Sequence, residues 1–249
     1  MNIGIIPARL DSTRLPRKIL LDLDGKPMIV HTIERALQSK KLDRVIVAID
    51  SEETQLALKE FNYEIVMTSQ DHISGTDRVA EVVKKIPEAD VIVNIQGDEP
   101  VIEPNIIDNL VTLFNNNDVN MSTIVSSKLT VSDLLNPNVV KAIVDEYQNV
   151  IEFKRNIFDL EIGGVYRHIG IYGFRRETLF HFTNLTPSVR EIDANLEQLR
   201  ALDNGIHIRA AVTNYESFSV DTKADLDRVY QKMQNSNAIL NKDIKSEKD

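Results

Sequence analysis

At 249 residues, with 42% hydrophobic and 27% charged positions, the chain has the make-up of an ordinary soluble globular protein with a sizeable core. A net charge of −9 argues against nucleic acid as its main partner, because counterion release needs clustered basic surface. The absence of cysteine excludes disulfides, thiolate zinc sites and cysteine nucleophiles, and no apolar run approaches the ~18–20 residues that span a bilayer. The opening lacks the pattern of a secretory leader, so a soluble, cytoplasmic protein that does not engage membranes is expected.

The first strand is expected at Ile3–Ile6, followed by the loop PARLDSTRLPRK (7–18), whose Arg9, Arg14, Arg17 and Lys18 concentrate positive charge in an acidic chain. A turn at Asp24-Gly25-Lys26-Pro27 leads into a helix over Met28–Ser39. Strands at Arg44–Ile49, Glu64–Met67 and Val91–Ile95 then alternate with helices at Ser51–Phe61 and Thr76–Ile86, and a further helix follows at Pro104–Phe114. Near-continuous Val/Ile runs suit strands buried on both faces, so the alternation predicts a doubly wound, mostly parallel, Rossmann-like α/β sheet. The second half is less regular. It predicts strands at Met121–Ser127, Val139–Val144, His168–Phe174 and His207–Val212, several of them antiparallel, and helices at Val189–Leu202 and Thr222–Met233. One domain over 1–240 with an inserted lobe is the simplest organisation, and the polar segment 241–249 reads as a disordered tail.

Ligands of open α/β sheets bind beyond the carboxyl ends of the strands, where the basic loop falls. The loop has neither GxGxxG nor GxxxxGK[ST] spacing, so arginine and lysine side chains, ordered by two prolines, would take the part that backbone amides play in those folds. A solvated charged loop is the competing reading. VIVNIQGDEP (91–100) ends a buried strand in Gly97 and then presents Asp98, suited to a hard divalent cation, while alternation turns Glu99 away; a plain Gly-Asp turn is equally open. Asp221 in SVDT stands where a helix N-cap would, and becomes a second metal ligand only if it converges with Asp98. Ser74-Gly75-Thr76-Asp77-Arg78 opens a helix and suits either a phosphate oxygen or an ordinary cap. His168 and Tyr172 share one side of a strand, and Glu197-Gln198 sits in a Leu-rich helix, where a structural role is open for each.

In order along the chain, PAR…STRLP.K, SGT.R, NIQGDEP, NPN.VK (136–141), H.GIYGF (168–174), LEQLRAL (196–202) and VDT resemble the CMP-Kdo synthetases, the 3-deoxy-manno-octulosonate cytidylyltransferase family. The resemblance implies a nucleotidyltransferase sheet with a small mixed lobe at roughly 120–190 that forms a homodimer. It also implies transfer from CTP to the anomeric hydroxyl of 3-deoxy-manno-octulosonate (Kdo), with release of pyrophosphate, for a bacterial outer-surface polysaccharide. Carried over by position, Arg9, Arg14 and Lys18 would meet the triphosphate, with Pro7, Ala8, Ser74, Thr76, Arg78 and Gln96 around the nucleotide. Asp98 and Asp221 would hold Mg2+ and, with Lys18, carry the chemistry. Gln96, Arg155, His168, Tyr172, Glu197 and Gln198 would line the sugar pocket. The chain departs from the family in Arg17, where glycine is usual, in a short segment 156–167, and in Asp193 and Ala194. Alternatives are the same chemistry on another 2-keto-3-deoxy acid such as 8-amino-Kdo, and a non-catalytic nucleotide-binding module. Enzymes making UDP- or GDP-sugars carry a glycine-rich first loop, and no glycine lies between Pro7 and Asp24.

Overall fold

The computed structural model describes residues 1–12, 14–158 and 163–246, with side chains to Asn235. Strand β1 (Asn2–Ala8) alternates its buried side chains, Ile3 and Ile5 to one face of the sheet and Ile6 and Ala8 to the other. After the basic loop, a two-residue Asp24-Gly25 turn with both φ angles positive joins β2 (Asp22–Leu23) to β3 (Lys26–Pro27). Helix α1 (Met28–Ala36) and strand β4 (Arg44–Ile49) follow, then α2 (Glu52–Leu58), whose Ser51 cap accepts from two backbone N–H groups. Strand β5 (Ile65–Met67) leads to α3 (Gly75–Lys84), which opens with a Ser74–Asp77 capping box. Strand β6 (Val91–Asn94) and α4 (Pro104–Thr112) complete the alternating half.

The second half contains β7 (Met121–Ser126), the short α5 (Val131–Leu134), β8 (Lys141–Val144), β9 (Val150–Lys154) and the long β10 (Val165–Arg175). It continues through α6 (Arg176–Asn184), α7 (Val189–Ala194), α8 (Leu199–Asp203), β11 (Ile208–Thr213) and α9 (Lys223–Ser246). The sheet runs β11-β7-β10-β6-β1-β4-β5, with β8 and β9 leaving it from β10. Pairs β1–β4, β1–β6, β4–β5 and β7–β11 are parallel, and β10 is antiparallel to β6, β7 and β8. Within the stretch 120–190 read as an inserted lobe, β7 and most of β10 therefore lie in the main sheet, and α5, β8 and β9 are what departs from it.

Helices α3, α6 and α8 cover one face through Val79, Val82, Val83, Leu179, Phe182 and Leu199, and α1 and α4 cover the other through Ile29, Ile33, Ile106 and Leu110. Each such aliphatic or aromatic side chain, fully buried, stabilises the fold by about 1.5–3 kcal/mol.

Three expectations change. The helix expected over Val189–Leu202 is two helices, because Asn195 takes a left-handed conformation (φ 51°) at the end of α7, an ordinary helix stop for asparagine. Helix α9 runs past Met233 to Ser246, since nothing between Lys223 and Ser246 is glycine or proline, so the segment 241–246 set down as a tail is helical. Strand β9 and helix α6 were not legible as elements.

Candidate active site

The chain runs from β1 to β4 and β5 on one side, then returns to β6 on the other side of β1. Strand order reverses between β1 and β6, and a crevice opens beyond their carboxyl ends. The basic loop leaves β1 there, and Gln96-Gly97-Asp98-Glu99 leaves β6 beside it.

Lys18 Nζ lies 2.6 Å from Asp98 Oδ2 and 3.1 Å from Asp221 Oδ1, and Arg14 reaches the same Asp221 oxygen at 2.9 Å. Burial opposes the Lys18 charge, but attraction to Asp98 and then Asp221 outweighs it and raises the pKa, so the ammonium stays charged. Asp221 is brought across by packing. Val220, Leu226 and Val229 bury against Leu23 and Met28, and Val220 N–H donates to the Asp98 carbonyl at 2.9 Å. The N-cap reading of Asp221 is settled by Asp225, whose Oδ2 accepts from the backbone N–H groups of Asp221 and Thr222, leaving the Asp221 carboxylate to face the cations.

Asp98 and Asp221 thus already share one cation, Lys18, and two hard oxygen donors at such a point suit Mg2+. Among the described residues no cluster of three or more His, Cys, Asp or Glu side chains could hold an ion, so phosphate oxygens and water would complete the shell.

The nucleotide-side residues separate into two groups. Pro7, Arg9, Arg14, Lys18 and Gln96 line a cavity of ≈ 250 Å3 that includes both aspartates, and Pro7, Arg9, Ser74, Arg78 and Gln96 line an adjoining one of ≈ 180 Å3. Ala8 is buried in the core. Arg78 is only 2% exposed, its guanidinium held by Asp50 (2.9 Å), Thr68 and the Ser69 carbonyl, and Asp50 in turn accepts the Leu10 N–H at 3.0 Å. Arg78 thus reaches the wall of the smaller cavity with its guanidinium already engaged, and fixes the root of the basic loop through Asp50. Thr76 faces inward, donating to Glu197 Oε2 at 2.8 Å and accepting from Asn94.

A third cavity of ≈ 420 Å3 shares Arg14, Gln96, Asp98 and Asp221 with the first, and adds His168, Tyr172, Glu197 and Gln198. The two extra residues at the bulge after Ile169 preserve the alternation of β10, so His168 and Tyr172 do share a face, with ring centroids 5.5 Å apart. Thr123 Oγ1 fills the bulge, 2.9 Å from the Ile171 carbonyl and 3.0 Å from His168 Nε2. Burial pushes the His168 pKa down to about 3, so the ring is neutral. The break between α7 and α8 turns Glu197 and Gln198 inward. Burial raises the pKa of Glu197, against hydrogen bonds from Ser74 and Thr76, and its Oε1 is enclosed without a partner.

Arg155 is the sugar-side residue that the structure does not bring in. Its guanidinium donates to the carbonyls of Ala194 (2.6 Å), Pro137 (2.8 Å) and Asn195 (2.9 Å), because strand β9 ends beside them. Sequence reasoning also missed Lys141, fully buried, whose ammonium donates to the carbonyls of Asp133, Asn136, Val139 and Arg155. Neither lines the cavity, but they hold the carbonyls of Val139 and Asn195, which do; the only signal was the lysine of the NPN.VK motif.

Glu99 turns away from Lys18, as alternation suggests, but into the third cavity, where Oε1 accepts from Ser217 Oγ at 2.6 Å and Oε2 is buried without a partner. Burial raises its pKa from 4.5 to about 7, against the Ser217 hydrogen bond. Between those values the folded protein holds a proton that the unfolded chain has released, so stability falls as pH rises from 4.5 to about 7, by on the order of 3 kcal/mol. Glu99→Gln removes this loss. Urea midpoints of the metal-free protein at pH 5 and pH 8 are expected to move apart from wild type only at the higher pH, and an equal difference at both would contradict the assignment.

Arg17 precedes Lys18 in a left-handed conformation (φ 54°) and pairs with Glu53 at 2.6 Å on the exposed surface. The exposed pair contributes little, and a side chain in that conformation costs roughly 1–2 kcal/mol. Arg17→Gly is expected to raise the melting temperature by about 1–3 °C. A lowered value would show that the ion pair outweighs the strain.

A family model described as cytidylyltransferase matches residues 3–208. The 3-deoxy-manno-octulosonate cytidylyltransferase of Geobacter sulfurreducens is 42% identical over 250 residues, spanning 94% of this chain and 100% of its own. The protein of that name from Chloroherpeton thalassium is 42% identical over 251 residues, spanning 97% and 98%. This chain belongs to the 3-deoxy-manno-octulosonate cytidylyltransferase family. A solved CMP:2-keto-3-deoxy-manno-octonic acid synthetase complexed with CTP, 37% identical, superposes with a TM-score of 0.89 over 95% of this chain and 100% of its own. A glucose-1-phosphate thymidylyltransferase from Bacillus anthracis at 18% identity and TM-score 0.67 shares the fold. The departures from the family pattern now have places. Glycine suits the left-handed position of Arg17, Asp193 is exposed, and the Ala194 carbonyl receives Arg155. Residues 159–162 of the short segment lie outside the described residues.

Proposed function

We propose that this chain transfers the cytidylyl group of CTP to the anomeric hydroxyl of Kdo, giving CMP-Kdo and pyrophosphate. The observation that carries the reading is the continuity of the cleft. The cation-rich nucleotide side and the polar, acidic sugar side meet at Gln96, Arg14, Asp98 and Asp221, where an α-phosphate and an attacking hydroxyl would have to meet.

Arg9, Arg14 and Lys18 neutralise the triphosphate, with the charged Lys18 moving from the two carboxylates to phosphate oxygens. Asp98 and Asp221 would hold Mg2+, which would supply polarisation of the α-phosphate and a lowered pKa at the attacking hydroxyl. Neutral His168, Tyr172 and Gln198 orient the sugar hydroxyls, and Glu197 Oε1 offers an acceptor oxygen. No protein nucleophile is required, and water exclusion and positioning carry the rest.

A homodimer belongs to this reading. Support comes from the apolar side chains left exposed on the lobe and on α7, namely Ile151, Phe158, Val189 and Ile192, with α7 held against β9 by the 2.5 Å Arg190–Glu152 pair. Among the described residues no helix is long and apolar enough to cross a membrane, and a cytoplasmic enzyme supplying activated acid sugar for outer-surface polysaccharide is proposed. Incubation with CTP, Mg2+ and a panel of Kdo, 8-amino-Kdo and neutral aldoses, followed by mass measurement of the products, tests it. CMP-Kdo as the main product is expected. CMP-8-amino-Kdo in its place would move the substrate, and CTP binding without any product would leave a binding module.

A further inference from the structure

An acid sugar brings a carboxylate into a cavity lined by Asp98 and Asp221, with Glu99 and Glu197, whose pKa values burial raises, beside them. Like charge at close range in a partly dry site disfavours binding, so a cation must face that carboxylate. The cations near the cavity differ in what they are already doing. Lys18 sits between Asp98 and Asp221 on the nucleotide side, and Arg14 is 2.9 Å from Asp221. Lys141 is fully buried against backbone carbonyls, and Arg155 donates to three others. His168 is neutral.

Arg167 is different. It lines the cavity beside His168, and its NH1 stands 3.7 Å from Asp133 Oδ2, beyond hydrogen-bond length. Its backbone is paired on both sides, to Ser126 of β7 and to Lys141 of β8, so the side chain starts from a rigid platform. Asp133 is itself fixed, accepting the Thr130 N–H at 2.9 Å in a capping box, and it orients the guanidinium without occupying it by a close pair. The guanidinium is a planar fork that matches a carboxylate at two points.

We infer that Arg167 recognises the carboxylate of the sugar substrate, and that Arg155, just after β9, is a positioning residue that holds the cavity wall. This rests on the proposed acid-sugar reaction. It makes Arg167 the residue that selects acid sugars over neutral ones.

The test compares wild type, Arg167→Gln and Arg155→Gln with Kdo and with its C1 carboxamide, at saturating CTP and Mg2+. Arg167→Gln is expected to raise the KM for Kdo about 10- to 100-fold, leave the KM for CTP within about twofold, and abolish the preference for acid over amide. Arg155→Gln is expected to lower thermal stability and keep that preference. An Arg167→Gln enzyme that still prefers the acid as wild type does would overturn the inference, as would an equal loss for Kdo and CTP. Should wild type fail to turn over Kdo, the proposed reaction falls separately. Calorimetric titration of Kdo itself into wild type and Arg167→Gln then decides on Arg167, with binding lost only in the variant supporting it and equal binding overturning it.

Discussion

Asp98→Asn is expected to lower turnover by roughly 10^3-fold or more while CTP affinity changes by less than about tenfold. The substitution keeps the shape of the side chain and the turn that Gly97 begins, but removes the charge that stands 2.6 Å from Lys18. An amide is a poor ligand for a hard cation and leaves Asp221 alone opposite Lys18 and Arg14. The cations proposed to meet the triphosphate, Arg9, Arg14 and Lys18, remain, so ground-state binding of the nucleotide should be largely preserved. The loss falls on the step in which charge moves at the α-phosphate, which appears in kcat rather than in CTP binding. Pyrophosphate release gives the first quantity and calorimetry with CTP the second. Turnover within tenfold of wild type would remove Asp98 from the chemistry.

Arg78→Met is expected to destabilise the protein by about 3–5 kcal/mol, because it leaves the Asp50 carboxylate buried and unpaired. Arg78 is 2% exposed and pairs with Asp50 at 2.9 Å, and Asp50 is 8% exposed, so solvent screens neither partner. For a chain of this length the melting temperature should fall by about 6–20 °C. The double variant Arg78→Met with Asp50→Leu should lose less than the sum of the singles, since it leaves no buried charge behind. Because Asp50 also receives the Leu10 N–H, a catalytic defect should accompany the single variant through the displaced basic loop. A change below about 2 °C would show that the pair is solvated.

The alternating half was legible because its signals are local. Strand β4 has the bounds that its Val/Ile run predicts, and α3 opens at the Ser-Gly-Thr turn, with Val79, Val82 and Val83 on its buried face. The motif order along the chain also pointed to the residues that gather at Gln96, Asp98 and Asp221. What escaped depends on partners far away in sequence. Thr76 looks like a cap, and only the fold brings Glu197 to its hydroxyl. The resemblance sets Arg155 among the sugar ligands, yet three carbonyls from two other segments claim its guanidinium. The Leu-rich stretch after Val189 keeps helical periodicity through Asn195, whose left-handed conformation ends α7. Lys141 entered only as the last residue of NPN.VK, and the carbonyls that bury its ammonium are gathered by the fold.

The central claim is tested most directly by pyrophosphate release from CTP and Mg2+, measured with and without Kdo. Rapid release that requires Kdo is the predicted result. Absence of release with Kdo, in protein that binds CTP, would contradict it.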